Sequence, residues 1–348
     1  MTLREAVGTE AAASSLVEVD GVQLSVSREG QGIPVVCLHA VAHGAGDYRA
    51  FARAVRDGFE VICVDWPGHG RSGTDREPTS AARYAELLVL LLDQLGVERP
   101  IVIGNSIGGA AALLYAERRK VRALVLCDSG GLLQVNLLVR WFCAAFTRFF
   151  AAGARGASWF GAAYAWYYRR LVLPTAAAAE QRERIIAAGY ELAPVLRDAW
   201  SSFARPSADL RALAASLQVP VWCAWGKYDR VIPLSRCKPA IERMQHARIT
   251  VFAAGHSAFL ECPEEFAREF TKFASDLSAT RASLGELQPK SAFVQRPPPD
   301  ERSEVHSRRA KQSPSRRAKQ SPSRRAKRSP ESPSESPSFC KPKKRELC

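Results

Sequence analysis

Residues 101–118 read Ile-Val-Ile-Gly-Asn-Ser-Ile-Gly-Gly-Ala-Ala-Ala-Leu-Leu-Tyr-Ala-Glu-Arg, and this stretch decides the fold. Ile101–Ile103 is a short apolar run typical of a buried strand, and Gly108–Arg118 has the pattern of a helix. Between them lies a G-x-S-x-G motif centred on Ser106. Its glycines permit a sharp turn that lifts the Ser106 hydroxyl above a sheet, at a helix N-terminus whose amides favour negative charge. The stretch therefore predicts a serine nucleophile on a scaffold of alternating strands and helices.

Strand-like and helix-like segments alternate on both sides of this stretch. The pair Asp20-Gly21 between two apolar runs is a strong hairpin signal, and helical patterns such as Ala82–Leu95 separate several of the other runs. Alternation of this kind predicts an α/β fold with a mainly parallel, doubly wound sheet. The strand-length runs are Leu16–Val19, Val22–Val26, Val35–Leu38, Val61–Val64, Ile101–Ile103, Val121–Leu126, Val219–Trp225 and Ile249–Phe252.

The alternation stops after the sixth of these runs, between Leu132 and about Arg205. This segment is helical in pattern, and eleven of the chain's thirty aromatic residues lie between Trp141 and Tyr168. We therefore expect a helical cap, residues 133–205 approximately, inserted after strand 6. Its aromatic side chains can pack the cap onto the core, can line an apolar substrate pocket, or can do both. Packing onto the core is the more common role.

Positive charge is concentrated at the C-terminal end. Residues 283–348 contain 17 Lys and Arg against 7 Asp and Glu, a net of +10 in a chain of net charge +14. The unit SRRAK[QR]SP occurs three times, at Ser307–Pro314, Ser315–Pro322 and Ser323–Pro330. Such a segment has little to bury, so we expect a disordered tail at 283–348, a folded domain at 15–282 and a flexible N-terminus at 1–14. The tail either binds polyanions weakly, such as nucleic acid or an acidic protein, or is a solvated extension without a specific partner.

The nine cysteines include no C-x-x-C pair. An odd count without metal-ligand spacing favours a reducing compartment over a disulfide framework. The first twenty residues have no apolar core of a secretory signal, and Arg140 and Arg148 interrupt the most aromatic region, which argues against a membrane span. These features predict a cytoplasmic protein that needs no metal or cofactor, and they leave its oligomeric state open.

A serine nucleophile needs a base, and the base needs an acid that orients it. The last two strand-like runs end at suitable residues: Val219–Trp225 leads to Asp229, and Ile249–Phe252 leads to His256. Both follow the carboxyl end of a strand, where open α/β sheets place their sites. Ser106, Asp229 and His256 are therefore the predicted nucleophile, acid and base.

From Leu16 to about Leu277 the chain resembles the serine-nucleophile branch of the α/β-hydrolase superfamily. The matching segments occur in the family's order and read CLHAVAHGAG, DWPGHGRSG, GNSIGGAAALLYA, WGKYDRVIP and AGHSAFLECPEEF. The resemblance implies an oxyanion hole formed by the N–H groups of Ile107 and Val41. His39-Ala40 stands where most relatives have His-Gly, so an extra Cβ could reshape that loop. The resemblance also makes Asp128, at the end of the strand before the cap, an alternative acid.

A serine at the elbow excludes the aspartate-nucleophile chemistry of the related dehalogenases and epoxide hydrolases. It points to acyl transfer on an ester or lactone, which is the predicted function. The first alternative is carbon–carbon bond hydrolysis of a ring-cleavage product, because that subfamily shares the Gly-Asn-Ser-x-Gly-Gly elbow and a capped aromatic pocket. Arg182 would then be its substrate-binding cap arginine, although Ser257 replaces the tryptophan usual after the histidine. The second alternative is a hydrolase fold that binds without catalysis.

Overall fold

An eight-stranded sheet forms the centre of residues 14–286, the part of the chain that the computed structural model describes; side-chain burial is described as far as residue 277. The strand order is β1-β2-β4-β3-β5-β6-β7-β8. The strands are β1 Ser14–Val19, β2 Val22–Glu29, β3 Ile33–Leu38, β4 Phe59–Val64, β5 Ile101–Asn105, β6 Ala123–Cys127, β7 Val221–Gly226 and β8 Ala247–Phe252.

The six strands β4, β3, β5, β6, β7 and β8 are neighbours in this order and pair in parallel. β1 pairs antiparallel with β2, and β2 pairs antiparallel with β4. Asp20 and Gly21 join β1 to β2 with φ angles of 49° and 75°, as a tight turn between strands requires. The predicted α/β-hydrolase fold with a mainly parallel sheet is confirmed. β1 begins at Ser14, one residue before the predicted start of the domain.

Helices cover both faces of the sheet. Because side chains alternate along a strand, Val36 and Leu38 of β3 face the core cluster under α2, α3 and the cap, whereas Val35 and Cys37 face the cluster under α1 and α11. The helices are α1 Arg49–Val55, α2 Ala81–Gln94, α3 Ile107–Arg118, α4 Leu137–Ala154, α5 Phe160–Tyr167, α6 Ala179–Ala187, α7 Gly189–Phe203, α8 Arg211–Ser216, α9 Leu234–Ile241, α10 Ala258–Glu261 and α11 Pro263–Glu286.

α11 extends to Glu286, past residue 282, where the sequence predicted the end of the folded domain. The domain bounds themselves stay a prediction. The remainder of the predicted tail, 287–348, and residues 1–13 of the predicted N-terminal segment lie outside the described residues.

Five helices, α4 to α8, lie between β6 and β7, and the first four of them form the cap. α4 packs along α7, and the rings of Phe146 and Trp200 stack between them with centroids 4.3 Å apart. Among the described helices, only α4 has the length and composition of a membrane span, with a mean hydropathy of 1.3. It carries Arg140 and Arg148, and one helix of this kind is weak evidence for a span.

Candidate active site

Ser106 lies at the sharp turn between β5 and α3. Its backbone has φ 54° and ψ −117°, a conformation that costs a non-glycine residue free energy and recurs at functional sites. The flanking glycines make the turn possible, since a Cβ on Gly104 would come 2.4 Å from the Gly108 oxygen and one on Gly108 would come 2.4 Å from the Leu38 oxygen. The Ser106 side chain does not cap the helix and lines a cavity instead.

His256 and Asp229 form a buried pair beside this turn. His256 Nδ1 lies 3.0 Å from Asp229 Oδ2, while Asp229 Oδ1 accepts hydrogen bonds from the N–H groups of Val231 (2.7 Å) and Ile232 (3.1 Å). Burial opposes the negative charge, but the His256 ring and these hydrogen bonds outweigh it and lower the pKa of Asp229. The structure thus brings together a carboxylate and the imidazole that it orients, and His256 lines the same cavity as Ser106.

Asp128, the alternative acid, lies at the end of β6 with a φ of 44°. Its Oδ1 accepts the Gly226 N–H at 2.8 Å, and its Oδ2 has no hydrogen-bond partner among the described residues. Complete burial and the neighbouring charge of Asp229 raise the pKa of Asp128 well above its ordinary value. His256 Nδ1 is paired with Asp229 and Asp128 is bonded to a backbone N–H instead, so the geometry favours Asp229 as the acid.

One oxygen of each carboxyl group and a His256 ring nitrogen lie within 4.8 Å of one another, a spacing compatible with a metal ion. The donor atoms are already committed, however. Asp229 uses both oxygens in hydrogen bonds, one of them to His256, and Asp128 uses one for Gly226. A metal ion there would have to break the Asp229–His256 pair, so the donor set fits a catalytic dyad better than a metal centre.

Val41 and Ile107, the predicted oxyanion donors, both line the cavity that holds Ser106. The hydrogen bonds of the described residues include no acceptor for either N–H. The neighbouring Ala42 N–H is occupied, because it donates to His69 Nε2 at 2.9 Å. Ala40 has an ordinary backbone conformation; the positive φ of this loop, 68°, falls at Ala42. The loop therefore does not need the glycine that most relatives have at position 40.

Buried histidines hold this loop. His39 Nε2 accepts the Trp66 N–H at 3.0 Å, and His69 holds Ala42. Burial lowers the pKa of both rings to about 3, so they remain neutral acceptors. Asp65 accepts the Ala45 N–H at 2.7 Å. These residues support the loop that carries Val41 and are not among the residues that line the cavity.

Three residues have a positioning role that the sequence did not predict. The Asn105 amide donates to the carbonyl oxygens of Cys127 (3.0 Å) and His256 (2.8 Å), and its Oδ1 accepts the Ser257 hydroxyl at 3.0 Å. Glu261 Oε1 accepts the N–H groups of Gly255 (2.9 Å) and Ser257 (3.3 Å). Asn105, Ser257 and Glu261 thus tie the nucleophile turn to the histidine loop. The sequence signal was the serine at position 257, where the carbon–carbon bond hydrolases usually have tryptophan; its hydroxyl is the group that bonds Asn105.

The cavity has a volume of about 410 Å³ and lies between the sheet and the cap. Ser106, His256, Val41 and Ile107 all line it, and the rest of its lining is mostly apolar. The cap's aromatic residues perform both predicted roles: Phe150, Phe160 and Tyr164 are buried in the core, whereas others line the cavity. The aromatic lining residues are Trp141, Phe142, Tyr167, Tyr168, Trp200 and Phe203.

His43 also lines this cavity. Its Nδ1 is 2.5 Å from Asp47 Oδ2, and Gln181 of the cap donates a hydrogen bond to the other Asp47 oxygen. His43 Nε2 is buried and has no hydrogen-bond partner in the described part of the chain. A fixed ring with an unpaired nitrogen is thus available to a bound molecule.

Arg182 is turned away from the cavity. Its guanidinium donates to the carbonyl oxygens of Leu173 (2.8 Å) and Thr175 (3.0 Å), where it fixes the segment between α5 and α6. It is absent from the lining. The side chain predicted as a substrate-binding arginine therefore has a structural position in the cap.

The model of the Alpha/beta hydrolase family matches residues 35–269. The 2-hydroxymuconate semialdehyde hydrolase of Pseudomonas putida is 26% identical over 279 residues, 74% of this chain and 93% of that protein. The pimeloyl-[acyl-carrier protein] methyl ester esterase of Xanthomonas campestris pv. campestris is 27% identical over 274 residues, 71% of this chain and 97% of that protein. The solved enol-lactonase of Burkholderia xenovorans superposes with a TM-score of 0.61 at 20% identity, covering 75% of this chain and all of that one. At that identity the structural likeness shows the fold alone.

Proposed function

Because the chain belongs to the alpha/beta hydrolase family, we propose that it is a serine hydrolase that forms an acyl-enzyme on a small, largely apolar ester or lactone. The observation that carries the proposal is the pairing of His256 with Asp229 beside a strained Ser106. Ser106 and His256 line one mostly apolar cavity, and Asp229 is buried behind His256.

In the proposed reaction, Ser106 Oγ attacks the carbonyl carbon of the substrate while His256 Nε2 takes the hydroxyl proton. The negative charge on the carbonyl oxygen is stabilised by the N–H groups of Val41 and Ile107, each of which contributes about 3–4 kcal/mol in enzymes of this kind. The tetrahedral intermediate collapses, and His256 gives its proton to the departing alkoxide. A water molecule then releases the acyl group by the same steps in reverse order.

We infer that His43 binds a polar atom of the substrate. Its Nε2 is buried without a hydrogen-bond partner among the described residues, the cavity that it lines is mostly apolar, and Asp47 fixes the ring. A substrate with a hydroxyl or carbonyl group on the acyl chain would gain a hydrogen bond that an unsubstituted chain cannot form. His43→Leu is expected to raise KM about tenfold for the hydroxylated ester and leave the unsubstituted ester nearly unchanged. Equal effects on both esters would contradict this role.

A carbon–carbon bond hydrolase is the second candidate, and the relative from Pseudomonas putida favours it, because the alignment covers nearly all of that protein. Two local features favour the ester hydrolase: Arg182 is turned away from the cavity, and Ser257 is bonded to Asn105. A panel of p-nitrophenyl esters of increasing chain length, run beside a ring-cleavage dienoate, separates the two. Turnover of the dienoate far above every ester would replace the first proposal by the second.

Covalent labelling tests whether the chain is an enzyme of this kind at all. A fluorophosphonate is expected to label the wild type and not Ser106→Ala, and His256→Ala should label far more slowly, since the serine then lacks its base. Circular dichroism on each variant controls for folding. Absence of labelling in folded wild-type protein would favour the alternative of a binding module without catalysis.

A further inference from the structure

The outer side of the cap exposes an unusual number of large apolar side chains. On α4, Leu137 is 81% exposed and Trp141 69%; on the turn and helix of α5, Trp159 is 54% and Trp166 60% exposed. Positions four apart on α4 and seven apart on α5 lie on one side of a helix. We call the set Leu137, Leu138, Trp141, Phe142, Trp159 and Trp166 the cap face.

The cap face is continuous with the cavity. Leu138, Trp141 and Phe142 are exposed to solvent and also line the cavity that holds Ser106. The two helices of the face meet where the rings of Phe149 and Trp159 lie 5.8 Å apart. Exposed apolar surface of this kind on a folded domain marks a binding surface, and this one borders the entrance to the site.

The charge of the same region has one sign. From Ser129 to Ala179 the chain contains five arginines and no Asp or Glu. All five arginines are exposed, and Arg169 alone has a carboxylate partner in the described residues, Glu183 of α6. The positive charge of the other four arginines is therefore available to an anionic partner. The arginines are Arg140, Arg148, Arg155, Arg169 and Arg170.

We propose that the cap face docks on an anionic lipid surface. Tryptophan is enriched where protein meets the boundary between headgroups and acyl chains, and exposed arginines attract anionic lipids while their stems pack on apolar surface. A second copy of the chain fits poorly, because a two-fold contact would bring two sets of these arginines to one interface, and among the described residues only Arg169 of the set has a carboxylate partner.

In this proposal α4 lies on the lipid surface and does not cross the bilayer. α4 has the hydropathy of a span, but Phe146 and Phe150 hold it against Trp200 of α7 inside the cap. Docking of this face would bring the cavity entrance to the lipid, so that an apolar substrate dissolved there could reach Ser106 without crossing water. The binding itself does not depend on the proposed chemistry, and its test uses no turnover.

The test measures binding of the full chain to vesicles of phosphatidylcholine, with and without an equimolar share of phosphatidylglycerol, by flotation and by tryptophan quenching with brominated lipid. The basic tail could also bind anionic vesicles. Residues 283–348 contain no tryptophan, however, so quenching reports the cap and flotation reports either part. The wild type is expected to float with the anionic vesicles and to be quenched, with both signals weakening as salt rises.

The variant Leu137→Gln/Trp159→Gln/Trp166→Gln is expected to bind at least about tenfold more weakly, a loss that corresponds to ~1.4 kcal/mol. None of these three residues lines the cavity, so labelling of Ser106 should be unchanged. Leu90→Gln, at an exposed leucine of α2, is the matched control and should bind like the wild type. The proposal is overturned by flotation without quenching or by equal binding of the triple variant. It is also overturned if sedimentation shows a dimer of the wild type that the triple variant abolishes.

Discussion

Replacing Asp229 by asparagine is expected to lower kcat about 10⁴-fold, or roughly 5 kcal/mol of transition-state stabilisation. The magnitude follows from the fixed hydrogen bonds around the side chain. Val231 and Ile232 donate N–H groups to Oδ1 at 2.7 and 3.1 Å, so the asparagine must keep its oxygen there. Its NH₂ group then faces His256 Nδ1, which has to accept. The imidazole proton moves to Nε2, where it cannot take the proton of Ser106.

Asp128→Asn is the matched control. Burial and the neighbouring Asp229 raise the pKa of Asp128, which favours its neutral form, and an amide of the same shape can still accept the Gly226 N–H that now lies 2.8 Å from Oδ1. We expect its kcat to stay within a few-fold of the wild type, because neither the charge nor the tautomer of His256 changes.

The assay is the kcat of each variant on the best ester of the panel, corrected for the active fraction by fluorophosphonate titration and accompanied by thermal unfolding. The reasoning is refuted if Asp128→Asn loses more activity than Asp229→Asn, since Asp128 would then be the acid. It is also refuted if both variants keep wild-type kcat while folded, because the Asp229–His256 pair would then have no part in turnover.

Three further predictions concern stability. Above about pH 4 the unfolded chain releases the Asp128 proton while the folded chain keeps it, so this residue lowers the free energy of unfolding as pH rises. In urea unfolding, Asp128→Asn should therefore gain stability relative to the wild type with rising pH. A pH-independent difference would contradict the raised pKa. Asn105→Ala removes three buried hydrogen bonds and should lower the free energy of unfolding by about 3 kcal/mol. Ser257→Ala removes one of them and should lower it by about 1 kcal/mol. Similar losses for both variants would show that the amide does not bridge the two loops. Gly108→Ala places a Cβ 2.4 Å from the Leu38 oxygen and should cost about 1–3 kcal/mol in thermal unfolding, whereas an unchanged Tm would mean that the turn relaxes freely.

Local pattern determined most of the fold and the order of the candidate catalytic residues. The strand-turn-helix pattern around Ser106 and the hairpin at Asp20-Gly21 depend on neighbouring residues and backbone sterics, which act over a few positions. Asp229 and His256 were predictable because the carboxyl ends of parallel strands meet at one edge of a sheet. Their roles remain predictions until the variants are measured.

Tertiary structure decided which of two aspartates can be charged, where Arg182 points and what Ser257 does. Asp128 and Asp229 look alike in the sequence, but one is fully buried beside a like charge and the other accepts two N–H groups and faces an imidazole. Arg182 satisfies carbonyl groups that sequence spacing cannot place beside it. Each of these outcomes depends on contacts between residues far apart in the chain, because burial and hydrogen-bond partners, unlike local propensity, exist only once the sheet and cap have packed.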